Sequence, residues 1–131
     1  EQNYSFKMAK SIFLLFFSFF LISSAYAQDV LKSAEQMPEP VGGLKAFYDY
    51  ISANLKYPDE AKAKKIEGRV HVTFIVEMDG TLSNVQVSKG LGNGCDEEAI
   101  RLIKSAPKWN AGKQGGSPVR VEVTRPITFK L

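Results

Sequence analysis

The second half of the chain alternates apolar and polar residues in three stretches, the pattern of strands with one buried face. The first stretch covers 70–76, and Asp79-Gly80 predicts a hairpin turn into a second stretch over 81–88. Leu82 is out of phase with the valines that follow it, which predicts a bulge or a later start of that strand. The third and longest stretch carries its apolar residues at Val119, Val121, Val123, Ile127, Phe129 and Leu131.

Apolar residues spaced three and four apart predict three helices. The first covers 44–55, and Tyr57-Pro58 ends it and opens a second, short helix. The third follows the glycine-rich loop 90–94, and we expect Trp109, beyond its end, to cover the core. The apolar face of the first helix is formed by Leu44, Phe47, Tyr48, Ile51 and Leu55, and that of the third by Cys95, Ala99, Leu102, Ile103 and Ala106.

The order helix, helix, strand, strand, helix, strand predicts an α+β fold. A right-handed crossover from the second strand to the third places the third beside the first. We therefore expect a three-stranded antiparallel sheet in the order 2-1-3, with the helices packed on its single apolar face. The third strand contains Pro126, which cannot donate to a ladder, so we expect that strand at an exposed edge.

The N-terminal segment has the features of a secretory signal peptide. Lys7 and Lys10 precede an apolar run over 12–22, and small residues follow, which predicts cleavage after Ala27. The run is shorter than the roughly 20 residues of a membrane-spanning helix. We expect residues 1–27 to be the signal peptide, with Met8 a second candidate for the start. Residues 28–40 then form a flexible leader and 41–131 an exported domain; the alternative is an uncleaved membrane anchor.

Composition excludes several classes of protein. The chain has 131 residues, 44% hydrophobic and 24% charged, which is ordinary for a globular domain. A net charge of +3 without a basic stripe and interleaved aromatics argues against nucleic-acid binding. One cysteine permits no internal disulfide.

Candidate catalytic groups are few, and each has a structural interpretation. Asp96, Glu97 and Glu98 begin a helix, where capping and the helix dipole favour acidic residues. His71 is the only histidine and lies on the outward face of a strand, so we expect no metal site. Cys95 falls on a buried helix face, where a packed thiol is expected. We therefore expect no enzyme activity and no cofactor.

Several short motifs together resemble the C-terminal domain of the energy transducer TonB. They extend over nearly the whole chain after the leader, and an upstream segment, Pro40-Val41-Gly42-Gly43-Leu44 with Tyr50-Ile51, resembles an extension of the Bacteroidota branch of that family. The motifs are Tyr57-Pro58 with an acidic pair and Ala61, Ile66-Glu67-Gly68-Arg69-Val70, Asp79-Gly80, Asp96-Glu97-Glu98-Ala99, Pro107-Lys108-Trp109, Gly112-Lys113-Gln114, Pro118-Val119-Arg120-Val121 and Pro126-Ile127-Thr128-Phe129.

The resemblance implies a periplasmic protein-interaction domain that grips an extended segment, the TonB box, of an outer-membrane TonB-dependent transporter. The segment would add beside the last strand, a mode called β-augmentation. The implied peptide-binding edge is Val119, Arg120, Val121, Glu122, Val123 and Thr124. The implied flanking residues are Lys56, Gln114, Gly115, Gly116 and Ser117, of which Lys56 departs from the polar amide common in the family.

The sequence departs from a complete transducer in one further respect. A leader of about a dozen residues reaches roughly 40 Å when extended, and cleavage would detach it from the membrane. We therefore expect a module that binds without transmitting force by itself. The alternatives are a homodimer formed through the exposed strand, pairing with other TonB-family proteins, and an envelope-complex module without transporter contact.

Overall fold

The computed structural model describes residues 29–131, so the predicted signal peptide lies outside the described residues. Within 29–131 we number the elements in chain order. The helices are α1 (Gly43–Asn54), α2 (Asp59–Ala63) and α3 (Cys95–Lys104). The strands are β1 (Val30–Leu31), β2 (Glu39–Pro40), β3 (Gly68–Val76), β4 (Leu82–Lys89), β5 (Trp109–Asn110), β6 (Gly112–Gln114) and β7 (Ser117–Phe129).

The central sheet has β3 between β4 and β7, both antiparallel to it. This confirms the predicted order of the three long strands. The prediction of a three-stranded, wholly antiparallel sheet was wrong. A fourth strand, β1, pairs in parallel with β7, β6 pairs antiparallel with β7, and β2 and β5 form a separate two-stranded sheet. These additional strands are only two or three residues long, too short to show a periodic pattern.

The core lies between the sheet and the helices. Val70, Val72, Phe74 and Val76 of β3 alternate along the strand and are fully buried. In α1, Phe47 and Ile51 are buried, one helical turn apart, whereas Leu44 at the first turn is 46% exposed. The other buried core residues are Ala61, Ile75, Cys95, Ala99, Leu102, Ile103, Trp109, Val121, Val123, Ile127 and Phe129.

Strand β4 is irregular, as the phase of Leu82 predicts. Its register against β3 shifts twice, and Asn84 has a left-handed backbone with φ of 47°. A residue in that conformation interrupts the regular ladder and bends the strand. The outer edge of β4 is therefore not a flat row of backbone groups.

The leader also packs against the domain. Residues 30–40 contain β1 and β2, and Gln36 and Lys113 exchange two backbone hydrogen bonds of 3.0 and 2.8 Å. Pro38 and Pro40 are buried. The part of the leader from residue 30 onward thus lies on the sheet and its loops instead of extending away from them.

Candidate functional site

The long strand β7 provides the sheet edge on which the predicted site depends. In the order β1-β7-β3-β4, β3 and β1 lie on opposite sides of β7. Strand β3 pairs with β7 continuously from Val121 to Phe129. On the opposite side, β1 pairs only with Arg120 and Val121. Among the described residues, no strand covers that outer side from Glu122 onward.

The position of Pro126 shows which backbone groups face outward. Pro126 lies opposite His71 in the antiparallel ladder and has no N–H to donate to β3. In such a ladder, alternate residues direct their backbone groups toward the partner strand and away from it. The backbone N–H of Thr124, two residues earlier in the same register, therefore points to the outer side, and Glu122 has the same orientation. This edge can accept another extended chain.

Only part of the predicted binding segment is open. Val119 pairs with Gly112 of β6, and β1 covers Arg120 and Val121. The expectation of a strand exposed along its whole side from 119 to 124 therefore does not hold for its first half. Val121 and Val123 are also buried core residues, and by the same alternation their backbone groups face β3, so neither offers a hydrogen bond to the outer side.

Four of the predicted flanking residues form the turn between β6 and β7. Gln114 pairs with Ser117 across Gly115 and Gly116, which have φ values of 59° and 80° that favour glycine. This turn contacts the leader: the N–H of Glu35 donates to Gln114 Oε1 at 2.9 Å, and the N–H of Gly115 donates to Glu35 Oε2 at 3.3 Å. The flanking turn thus lies next to the site and is joined to the leader.

Lys56, the fifth predicted flanking residue, does not lie with the other four at this turn. It follows the end of α1, and its N–H donates to Glu98 Oε2 at 2.5 Å. Lys56 lines a surface cleft together with Pro58, Glu97, and Arg101. The structure separates the predicted flanking set into a turn beside β7 and a residue at the junction of α1 and α3.

Glu98, one of the three acids placed at the start of α3, is buried and joins two helices. It accepts two hydrogen bonds from Arg101, of 2.6 and 2.8 Å, besides the one from Lys56. Arg101 in turn donates to the carbonyl of Asn54, the last residue of α1, at 2.9 Å. Burial raises the pKa of Glu98, but the hydrogen bonds from Arg101 and Lys56 outweigh it and leave that pKa below its ordinary value.

Arg120, in the predicted binding segment, is held by a second carboxylate. Its guanidinium donates to both oxygens of Glu77, at 2.7 and 3.0 Å, in the bidentate geometry typical of strong arginine pairs. Ser83 donates to the same carboxylate at 2.7 Å. The hydrogen bond from Arg120 lowers the pKa of Glu77. This arrangement fixes the beginning of β7 against the β3–β4 hairpin.

These two carboxylates predict a loss of stability in acid. Because the pKa values of Glu77 and Glu98 are lowered in the folded state, their contribution is complete above the ordinary value of 4.5 and is lost as the pH falls through the folded values. The free energy of unfolding, measured with urea between pH 7 and pH 3, should decline below about pH 4.5. A Glu77→Gln/Glu98→Gln variant should show a shallower decline. An equally steep decline in that variant would contradict this assignment.

The remaining candidates for chemistry are structural. Burial raises the pKa of the Cys95 thiol, which disfavours the reactive thiolate. Asp96 accepts hydrogen bonds from the N–H groups of Leu91 and Gly92, so it orders the loop before α3. Within residues 29–131, no group of three or more His, Cys, Asp or Glu is placed to hold a metal ion.

Sequence reasoning missed the residues that cover β7. Val30 and Leu31 are the only adjacent pair of large apolar residues in the leader, and that pair was the only available signal. It also missed the contact of Glu98 with α1, which depends on two helix ends meeting in space. No helix among residues 29–131 is long and apolar enough to cross a membrane.

Two sequence comparisons relate the chain to known proteins. The family model described as the Gram-negative bacterial TonB protein C-terminal matches residues 53–131. Protein TonB of Pseudomonas aeruginosa is 29% identical over 75 residues, 57% of this chain and 22% of that protein, so this chain matches only about a fifth of its relative's length.

Two solved structures share the α+β architecture. The NMR solution structure of Helicobacter pylori TonB-CTD (residues 179–285) has a TM-score of 0.52 and 28% identity, covering 67% of this chain and 79% of that one. The structure of residues 194–285 of the same protein has a TM-score of 0.52 and 27% identity, covering 66% and 91%. Since the family model matches more than half of the chain, the chain belongs to the Gram-negative bacterial TonB protein C-terminal family.

Proposed function

We propose that this chain is a periplasmic protein-interaction module that binds the TonB box of an outer-membrane TonB-dependent transporter. The box would add as an extended strand along the outer side of β7. The observation that carries this proposal is the side of β7 beyond Val121, which no strand covers among the described residues and toward which the N–H of Thr124 points. Membership of the TonB C-terminal family supports the choice of partner.

The other edge of the sheet is a poorer docking surface. The register shifts of β4 and the left-handed Asn84 interrupt its row of backbone donors and acceptors. A peptide that adds to a sheet needs several consecutive backbone hydrogen bonds, with side chains alternating between the two faces. Strand β7 runs without a register shift over its nine pairs with β3, so it supplies a regular template.

The side chains at this edge indicate what kind of peptide fits. Thr124 is exposed, and its hydroxyl lies 2.8 Å from that of Thr73 on the same face. Val121 and Val123 face the core. Recognition would therefore rely mainly on backbone hydrogen bonds, each worth about 1 kcal/mol, which gives modest affinity and tolerance of different box sequences.

We further propose that the domain is exported and takes part in energy-dependent transport. The signal peptide predicted at 1–27 would deliver the domain to the periplasm, where it meets the inner face of the transporter. Binding alone requires only the folded domain. Transmission of force would require in addition a connection to the inner membrane.

The test is a titration followed by NMR. Residues 28–131, the product of the predicted cleavage, contain every core residue of the part of the chain that the structure describes, and they are titrated with a panel of TonB-box peptides. Amide shifts should concentrate at Glu122, Val123 and Thr124. A folded, monomeric protein whose amides do not shift would overturn the proposal. A concentration-dependent dimer that covers the same amides would favour the homodimer.

Replacing Thr124 by proline should weaken peptide binding about tenfold. The substitution removes an outward N–H and adds a ring on the docking side, which costs one hydrogen bond and some close contact. The strand already contains Pro126 in the same orientation, so pairing with β3 is expected to survive. The dissociation constant is measured with the peptide that binds the parent protein.

Thr124→Ala is the matched control. Both variants lose the hydroxyl contact with Thr73, but alanine keeps the backbone N–H. The alanine variant should bind within about twofold of the parent, since no side-chain contact to the peptide is expected there. Equal affinities for the proline and alanine variants would place the peptide elsewhere.

A further inference from the structure

The leader follows a defined path over the domain before α1 begins. From β1, which lies beside Arg120 and Val121, it passes the β6–β7 turn at Glu35 and pairs with Lys113 through Gln36. It then forms β2, in which Pro40 pairs with Trp109 of β5. One continuous segment thus contacts both the proposed binding edge and the core.

The two halves of this segment are attached with very different strength. The later half is held by the two hydrogen bonds between Gln36 and Lys113, and by the buried Pro38 and Pro40. The earlier half is a strand of two residues, of which Val30 is 38% exposed. Its one ion pair, Lys32 with Glu122, measures 3.9 Å, and the lysine side chain is 89% exposed, so it contributes little.

We propose that residues 30–32 are a displaceable strand of this chain that occupies the proposed binding edge and competes with the peptide. This inference rests on the proposed function. The ligand would first pair with the open part of β7, from Glu122 to Thr124, and then replace β1 at Arg120 and Val121. The firmly held residues from Gln36 onward keep the released strand close by.

The tether makes even a weak strand an effective competitor. Leu31 and Gln36 are separated by four residues, and a short flexible connection gives an effective concentration in the millimolar range. A peptide of modest affinity, present at a concentration below this effective concentration, finds the edge occupied by β1 in most molecules. If β1 is docked in about nine molecules of ten, the apparent affinity is reduced about tenfold.

The decisive experiment compares two proline variants of residues 28–131. Leu31→Pro places proline within β1, where loss of an N–H and of backbone freedom should detach the strand. Ser33→Pro, two residues later and exposed, lies outside β1 and is the matched control. Leu31→Pro should bind the TonB-box peptide about tenfold more tightly than the parent, and Ser33→Pro should bind like the parent.

The outcomes separate this inference from the proposed function. Equal affinity of the parent and Leu31→Pro, or weaker binding by Leu31→Pro, would overturn the displaceable strand and leave peptide binding at β7 intact. Tighter binding by Leu31→Pro than by the parent, with Ser33→Pro binding like the parent, would support both. Absence of binding in every folded variant would overturn both, because the strand would then have no competitor. The amide spectrum of each variant shows whether it is folded.

A cross-link tests the same inference by a second route, in which the reduced form of the same variant controls for the loss of the Arg120–Glu77 pair. Val30 and Arg120 are partners in the parallel pairing, and neighbouring strands lie about 4.8 Å apart, which suits a disulfide. In the Val30→Cys/Arg120→Cys variant, the oxidised form should bind the peptide more weakly than the reduced form, because the peptide can no longer replace β1. The natural Cys95 is buried and does not compete for the new thiols. Equal binding before and after reduction would contradict the competition.

Discussion

Replacing Trp109 by alanine is expected to lower the free energy of unfolding by about 3–5 kcal/mol, the usual cost of removing a large buried aromatic side chain. Trp109 is 3% exposed, and its ring meets Phe47 of α1 and Phe74 of β3 edge to face, at 5.4 and 5.3 Å. Arg125 lies over the same ring at 5.9 Å. The side chain therefore joins a helix, the sheet and a cation, and its removal leaves a cavity between them.

The measurement is urea unfolding followed by far-ultraviolet circular dichroism, because Trp109 is the only tryptophan and its fluorescence disappears in the variant. Val41→Ala is the control, since Val41 is 58% exposed and its substitution should change stability by less than about 0.5 kcal/mol. Similar losses in the two variants would show that Trp109 does not hold the core together.

Replacing Gly80 by alanine is the second large expected effect, a loss of about 2–4 kcal/mol in the free energy of unfolding. Gly80 has φ of 85°, and a Cβ there would lie 2.0 Å from the carbonyl oxygen of Trp109. The carbonyl of Gly80 also accepts a hydrogen bond of 2.9 Å from the N–H of Trp109. Since the obstacle is backbone, relief of the clash must move the hairpin turn or β5.

Gly92→Ala isolates the cost of the backbone conformation. Gly92 has φ of 70°, but a Cβ there would meet no atom within 4 Å. That variant should lose only about 1 kcal/mol, the cost of a left-handed backbone in a residue other than glycine. Urea unfolding of both variants gives the comparison. If Gly80→Ala lowers the free energy of unfolding by no more than Gly92→Ala does, the close approach of the Trp109 carbonyl adds nothing to the cost of the substitution.

The long elements could be read from the sequence because each buries one face and so repeats its apolar residues at a fixed interval. The alternation in β7 matches the buried positions from Val121 to Phe129, and the apolar stripe of α3 matches them from Cys95 to Ile103. Leu131, predicted on the same apolar face as Phe129, is instead 53% exposed. Asp79-Gly80 identified the β3–β4 turn for a local reason, the φ that glycine permits. Trp109 was correctly placed in the core, because a large aromatic after a helix end has few other environments in a small domain.

The features that could not be predicted from the sequence depend on pairs of residues far apart in the chain. Val30 meets Arg120, and Pro40 meets Trp109, through strands of two residues that have no period of their own. The sequence assigned Glu98 to the helix start for its charge, but the structure shows that besides Arg101 it binds the N–H of Lys56, 42 residues earlier. Strand β7 lies beside β3 and opposite β4, as predicted, but its partial cover by the leader was not foreseen. Peptide binding at this edge stays a prediction.

The bend at Asn84 limits how many copies of this domain can associate through their strands. An open-ended polymer needs two usable sheet edges on each molecule, one to add to the chain before it and one to receive the next. The left-handed Asn84 and the two register shifts remove the β4 edge from this role, so only the β7 side remains. Strand-to-strand assembly therefore ends after two partners, and a domain with an open sheet edge avoids growth into fibres.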